Sequence, residues 1–179
     1  MTAAAARYGA SLFELAAEER LDERILQELD CAAGCIAAEP AYVRLLSAPN
    51  IPRRERRALL DEAFGGQMHP YTVSFLKILC EEGLIRQLTD CAREYRARYN
   101  QAHGILEVRA AAAIPLDADT SRRLRDKLAA VTGRQIDLTV TVEPELLGGI
   151  RLDMDGTRLD GTLRRRLDSI REGLARLTL

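Results

Sequence analysis

The spacing of apolar residues changes at Gly104, and that change constrains the fold more than any other feature of the chain. Up to Gly104 apolar residues recur every three or four positions, which is the period of an amphipathic helix. Tyr8, Leu12 and Leu15 set the first such face, and Leu21, Ile25, Leu29, Ala32 and Ile36 set the second. Pro40 reads as a first-turn proline opening a short third helix through Tyr42, Leu45 and Leu46. Pro52 opens a fourth with Leu59, Leu60, Ala63 and Phe64, ended by Gly65-Gly66. Pro70 opens a fifth that Gly83 closes, and a sixth runs through Leu88, Ala92, Tyr95 and Tyr99. Six short helices with short links predict a compact bundle over residues 1–104.

Beyond Gly104 the apolar residues alternate, the period of a half-buried strand. Leu106, Val108 and Ala110 alternate with Glu107 and Arg109. Pro115 and Asp117 introduce a helix bearing Leu124 and Leu128, closed by Gly133. Ile136, Leu138, Val140 and Val142 then share one strand face. Ile150, Leu152 and Met154 form a further strand, Asp155-Gly156 is a two-residue hairpin signal, and a second short strand follows. Asp160 sits at an expected helix N-cap, followed by a stripe of Leu163, Leu167, Ile170, Leu174 and Leu177. The stripe is expected to pack on the apolar sheet face. Residues 105–179 therefore read as a small β-α-β-β-α domain, and the whole chain as α+β with a helical bundle first.

Composition excludes several classes of function. Twenty-six Lys and Arg against 27 Asp and Glu give a net charge of −1, so nothing in the overall charge favours nucleic acid or an anionic membrane. The run Arg164-Arg165-Arg166 invites an RNA-binding reading, but it shares its helix with Asp168 and Glu172 and lacks stacking aromatics. Arg53, Arg54, Arg56 and Arg57 read as the solvated face of the fourth helix. No nucleotide-binding loop, nucleophile elbow or metalloprotease motif occurs, so no catalytic residue, cofactor or metal is expected. Cys31, Cys35, Cys80 and Cys91 form no CxxC pair and read as buried free thiols. Neither a signal peptide nor an apolar run of about 20 residues is found, so no direct membrane insertion is expected.

Two helices carry more apolar surface than a bundle requires. The first has an apolar or small arc of roughly 220°, from Leu15 and Tyr8 through Leu12 and Gly9 to Phe13 and Ala10. The fifth has a similar arc of roughly 220°, from Ile78 and Tyr71 through Phe75 and Leu79 to Leu76, Cys80 and Val73. Somewhat over 100° suffices for a core-facing helix. Either both helices are central, or the surplus forms a groove for an amphipathic helix of a partner.

Three motifs, in order, resemble one family. Gly148-Gly149, the hairpin, Asp160-Gly161-Thr162 and the Arg-rich helix resemble the C-terminal signature of the ATP synthase delta subunit. That subunit is the bacterial counterpart of the mitochondrial oligomycin-sensitivity-conferring protein. Residues 7–16, RYGASLFELA, resemble the family's first-helix motif with Gly9 where alanine is usual, and 75–85, FLKILCEEGLI, its fifth-helix motif. The resemblance implies a non-catalytic stator part on the cytoplasmic face of a bacterial inner membrane. It implies that Tyr8, Leu12, Phe13, Phe75, Leu76 and Leu79 receive the N-terminal helix of an alpha subunit. It implies that Arg164 and Arg165 contact the peripheral-stalk b subunit, and that Gly148, Gly149, Asp160 and Gly161 are structural. A free-standing helical adaptor for an unrelated peptide is the alternative.

Overall fold

The computed structural model describes residues 2–154 and 156–161. Among these residues it is an α+β chain with seven α-helices and one four-stranded mixed sheet. Two compact units divide it, Met1–Tyr99 and Asn100–Leu179.

The first unit contains α1 (Ala3–Glu18), α2 (Asp22–Ala38), α3 (Pro40–Leu46), α4 (Arg53–Phe64) and α5 (Pro70–Glu81). A 3-10 turn (Ile85–Gln87) and most of α6 (Leu88–Ala102) follow. Helix starts carry the chemistry that orphan N–H groups need. The Thr2 hydroxyl accepts from the Ala5 N–H at 3.3 Å, and Pro40 and Pro70 occupy first turns where no N–H is required. Tyr95 is fully buried, its ring edge-on to Phe13 at 5.5 Å, and its hydroxyl donates to the Asp22 carbonyl at 2.9 Å. A Cβ at Gly9 would stand 2.5 Å from the Cys91 carbonyl oxygen, so α1 crosses α6 at a distance only glycine permits. Ile25, Leu29, Leu46, Leu60, Leu76 and Leu79 complete the centre of this core.

One carboxylate sets the position of α5. Glu28 of α2 accepts from the His69 N–H at 2.8 Å, the Thr72 hydroxyl at 2.6 Å and Arg24 Nε at 2.9 Å. Thr72 is fully buried, and the His69 ring accepts from the Tyr71 N–H at 3.3 Å. Burial pushes the Glu28 carboxyl up, but the three hydrogen bonds and the Arg24 charge outweigh it and hold the group below its ordinary range.

Two sequence expectations are corrected in this unit. Arg53, Arg54 and Arg57 are exposed, whereas Arg56 is half-buried and donates from Nη1 to the Leu46 and Cys80 carbonyls at 3.2 and 3.3 Å. It satisfies carbonyls at the C-terminal ends of α3 and α5, which a long fork-shaped cation can reach. Cys80 and Cys91 are buried, but Cys31 and Cys35 are exposed. The buried stripe of α2 runs through Ile25, Leu29, Ala32 and Ile36 and leaves both of those thiols outside it.

The second unit is built on β1 (Ile105–Ala112), α7 (Ala118–Thr132), β2 (Gln135–Val142), β3 (Ile150–Met154) and β4 (Thr157–Asp160). The strand order is β2-β1-β3-β4; β1 and β2 are parallel across the α7 crossover and the other pairs antiparallel. Asp117 caps α7 by accepting from the Thr120 N–H at 2.8 Å. Register puts Leu106, Val108, Ile136, Leu138, Leu152 and Met154 on one face, where Leu128 and Ala129 of α7 join them. Through residue 161 the order is β-α-β-β-β, and the short return strand expected after the hairpin turn pairs fully with β3. Asp160 ends that strand opposite Arg151. The helix that Asp160 was expected to cap, with its stripe from Leu163 to Leu177, lies outside the described residues, as do Arg164 and Arg165. Leu147, Gly148 and Gly149 have φ of 61°, 145° and 79°, a bend into β3 that glycine takes at little cost.

Glu28→Ala is expected to cost about 1–3 kcal/mol, because the buried Thr72 hydroxyl and the His69 N–H lose their acceptor. The pH dependence carries its own sign. A carboxyl depressed on folding stabilises fully above its unfolded value, and that stability disappears as pH falls through the lower folded value. Thermal melts between pH 7 and pH 3 should therefore show the gap between the parent and Glu28→Gln closing with acid. A gap that stays constant would mean that the charge of Glu28 contributes nothing.

Candidate functional site

The elements just described leave one face of α1 and one of α5 bordering an open groove of about 440 Å³. Two contacts decide which faces these are. The Gly9 crossing and the Phe13–Tyr95 edge contact turn one side of α1 towards α6. The Glu28 contacts hold the start of α5 against α2. Arg7, Tyr8, Ser11, Leu12 and Leu15 then line the groove from α1 at spacings of three and four. Tyr71, Ser74, Phe75 and Ile78 line it from α5 in the same way.

The groove has an apolar floor and an apolar rim. Leu12 and Phe75 form the floor and are 6% and 5% exposed. Leu15 and Ile78 stand on the rim at 41% and 46%, a large exposure for side chains of this kind. Ser11 and Ser74 are exposed and offer hydroxyls beside these apolar groups. Arg7 lies over the Tyr8 ring, 5.8 Å from its centroid, and adds a cation to the lining. Such a mixture suits the apolar stripe of an amphipathic helix with small polar or acidic flanks.

Of the six residues expected to receive a partner helix, the structure brings Tyr8, Leu12 and Phe75 to the groove. The other three face inward. Phe13 packs on Tyr95, and Leu76 and Leu79 are fully buried in the core. A 220° arc holds a core-facing part and a surface-facing part, and these three fall on the former. Arg7, Ser11, Leu15, Tyr71, Ser74 and Ile78 were not named for the site. Leu15 and Ile78 were nonetheless the end members of the two arcs, and an arc's end is where apolar side chains reach solvent.

Among the described residues, no group of three or more His, Cys, Asp or Glu side chains could hold a metal ion. Burial pushes Cys91 up to about 11, and burial outweighs the nearby Arg56 to raise Cys80, so neither is an activated thiol. In the second unit, Glu107, Arg109, Asp153 and Arg158 line a charged hollow on the polar sheet face, with Arg158 Nε 2.6 Å from Asp153.

The family model for the ATP synthase delta (OSCP) subunit matches residues 4–174. The chain belongs to the ATP synthase delta (OSCP) family. The subunit delta of Desulfitobacterium hafniense is 33% identical over 175 residues, covering 97% of both chains. That of Symbiobacterium thermophilum is 30% identical over 172 residues, covering 96% of this chain and 92% of its own. A chain in the cryo-EM structure of the Toxoplasma gondii mitochondrial ATP synthase hexamer has the same fold, with a TM-score of 0.72 at 20% identity over 98% of both. As a delta-family member the chain is a non-catalytic subunit of ATP synthase with a stator role. It is peripheral, and no described helix is long and apolar enough to cross a membrane.

Floor and rim should respond differently to substitution. Phe75→Ala is expected to cost about 3–5 kcal/mol, the usual range for truncating a buried aromatic. Ile78→Glu and Leu15→Glu, on exposed rim positions, should stay within about 0.5 kcal/mol. Urea titrations check this, and a large loss from either rim change would place that residue in the core.

Proposed function

We propose that the groove between α1 and α5 receives the amphipathic N-terminal helix of an alpha subunit, and that the second unit holds the end of the peripheral-stalk b subunit. The first unit, taken with the rest of α6 to residue 104, acts as a separate helical domain that caps the catalytic head. The chain then works on the cytoplasmic face of a bacterial inner membrane. The observation that carries this reading is the paired exposure of Leu15 and Ile78 on either side of an apolar floor. Membership of a stator-subunit family supports another ATP synthase subunit as the source of the helix.

The physical task follows from the position. Rotor torque does work on nucleotide only if the catalytic head is held still. A subunit that joins head to stalk needs binding surface on both of its units. The first unit satisfies this with an apolar groove, whose contacts release ordered water on docking and need no motion of the bundle. For the second unit, we propose that Arg164 and Arg165 meet acidic side chains of b, giving a contact that weakens with salt.

Binding of a labelled peptide with the alpha subunit's N-terminal sequence tests the groove. Ile78→Glu and Leu15→Glu should each weaken binding at least about tenfold, equivalent to 1.4 kcal/mol, with circular dichroism unchanged. Val131→Glu, at an exposed position of α7 in the other unit, is the control and should bind like the parent. Unchanged binding by both rim variants would remove the helix from this groove.

A further inference from the structure

Cys31 and Cys35 lie one turn apart on α2, and both are exposed. The other two thiols are shut away: Cys80 donates its S–H to the Leu46 carbonyl at 3.4 Å, and Cys91 is fully buried. Cys35 also borders an open hollow of about 670 Å³ between α2, α3 and α4, where Tyr42, Leu45 and Phe64 give an apolar wall. Thiols therefore meet solvent at one place among the described residues, as an adjacent pair beside a space that admits a small molecule.

We infer that Cys31 and Cys35 form a two-thiol exchange site that takes small-molecule disulfides and closes reversibly into a bond across one turn of α2. This goes beyond the stator role and does not depend on it. Helix geometry sets positions four apart at a Cα separation of about 6.2 Å. Disulfides accept roughly 4.4–6.8 Å, so the Cα separation itself lies within range. Their Cβ atoms, about 5–6 Å apart in a helix, must draw in towards about 4 Å. That strain, together with exposure, makes the bond easily reduced, as in regulatory rather than structural disulfides.

The hollow orders the steps, because it borders Cys35 and not Cys31. Proximity to Cys35 raises the Cys31 thiol, with burial a minor addition. Cys35 therefore attacks first, and Cys31 is the resolving thiol. The Cys35 thiolate forms a bond to one sulfur of the incoming disulfide, and the other sulfur leaves as a thiolate. That thiolate takes up the Cys31 proton. Cys31 then attacks the Cys35 sulfur and expels the second small thiolate, which is protonated by solvent. Two protein thiols are oxidised, and one disulfide is reduced to two thiols.

Incubation of the native full-length protein with glutathione disulfide, followed by intact mass and peptide mapping, tests the site. The parent should lose two of its four thiols and two hydrogens, retain no glutathione, and recover both thiols on addition of reduced glutathione. Cys31→Ser should instead hold one glutathione on Cys35, because the resolving thiol is gone. Cys35→Ser should react several-fold more slowly at Cys31. Glutathione retained on the parent protein would overturn the inference. So would a failure to lose thiols, or reaction at Cys80 or Cys91 ahead of the pair.

Discussion

The structure of the first unit depends on what Glu28 holds. Its carboxylate joins the middle of α2 to the first turn of α5, bonding one buried hydroxyl and one backbone N–H that would otherwise lack a partner. That contact fixes where α5 begins and, with the buried stripe of Leu76 and Leu79, how it is rotated. On the outer side, Lys77 pairs with Asp61, and Arg57 with Glu81 at 3.2 Å, so α4 restrains α5 from a second direction. The exposed face that carries Ser74 and Ile78 is what remains. The groove is therefore a consequence of core packing and needs no separate device to keep it open.

Division of labour around a helix explains both what the sequence disclosed and what it concealed. The change of period at Gly104 announced the passage from helices to sheet because 3.6 and 2 are incompatible repeats. Pro40, Pro70 and Asp117 marked helix starts because each answers the shortage of partners for first-turn N–H groups. The arcs of α1 and α5 showed that two helices were too apolar for one core face. They did not show which half faced in. That choice is made by long-range contacts, the Gly9–Cys91 approach on α1 and Glu28 on α5, whose partners lie 82 and 41 or 44 residues away. For the same reason the sequence did not separate Tyr8, Leu12 and Phe75, which line the groove, from Leu76 and Leu79, which are fully buried, or from Phe13, which packs partly buried on Tyr95.

Polar side chains were the least legible. Arg56 sits among four arginines of like appearance, and only the nearness of two helix ends makes it a bridge. Cys31 and Cys35 resemble Cys80 and Cys91 until the buried stripe of α2 is placed. In the second unit, alternation alone was enough to assign β1, β2 and β3 and their apolar faces, because a slip of one residue would turn Leu106, Val108 and Ile136 out of the core. The β4 strand is short, with only Leu159 as a large apolar residue, and it was legible from the Asp155-Gly156 turn signal rather than from alternation.

Backbone amide spectra of the full-length protein, titrated with the alpha subunit's N-terminal peptide, test the central claim most directly. The account predicts that shifts concentrate at Arg7, Tyr8, Ser11, Leu15, Tyr71, Ser74 and Ile78, with the second unit unmoved. Shifts centred instead on the hollow lined by Tyr42, Leu45 and Phe64, or on the polar face of the sheet, would contradict it.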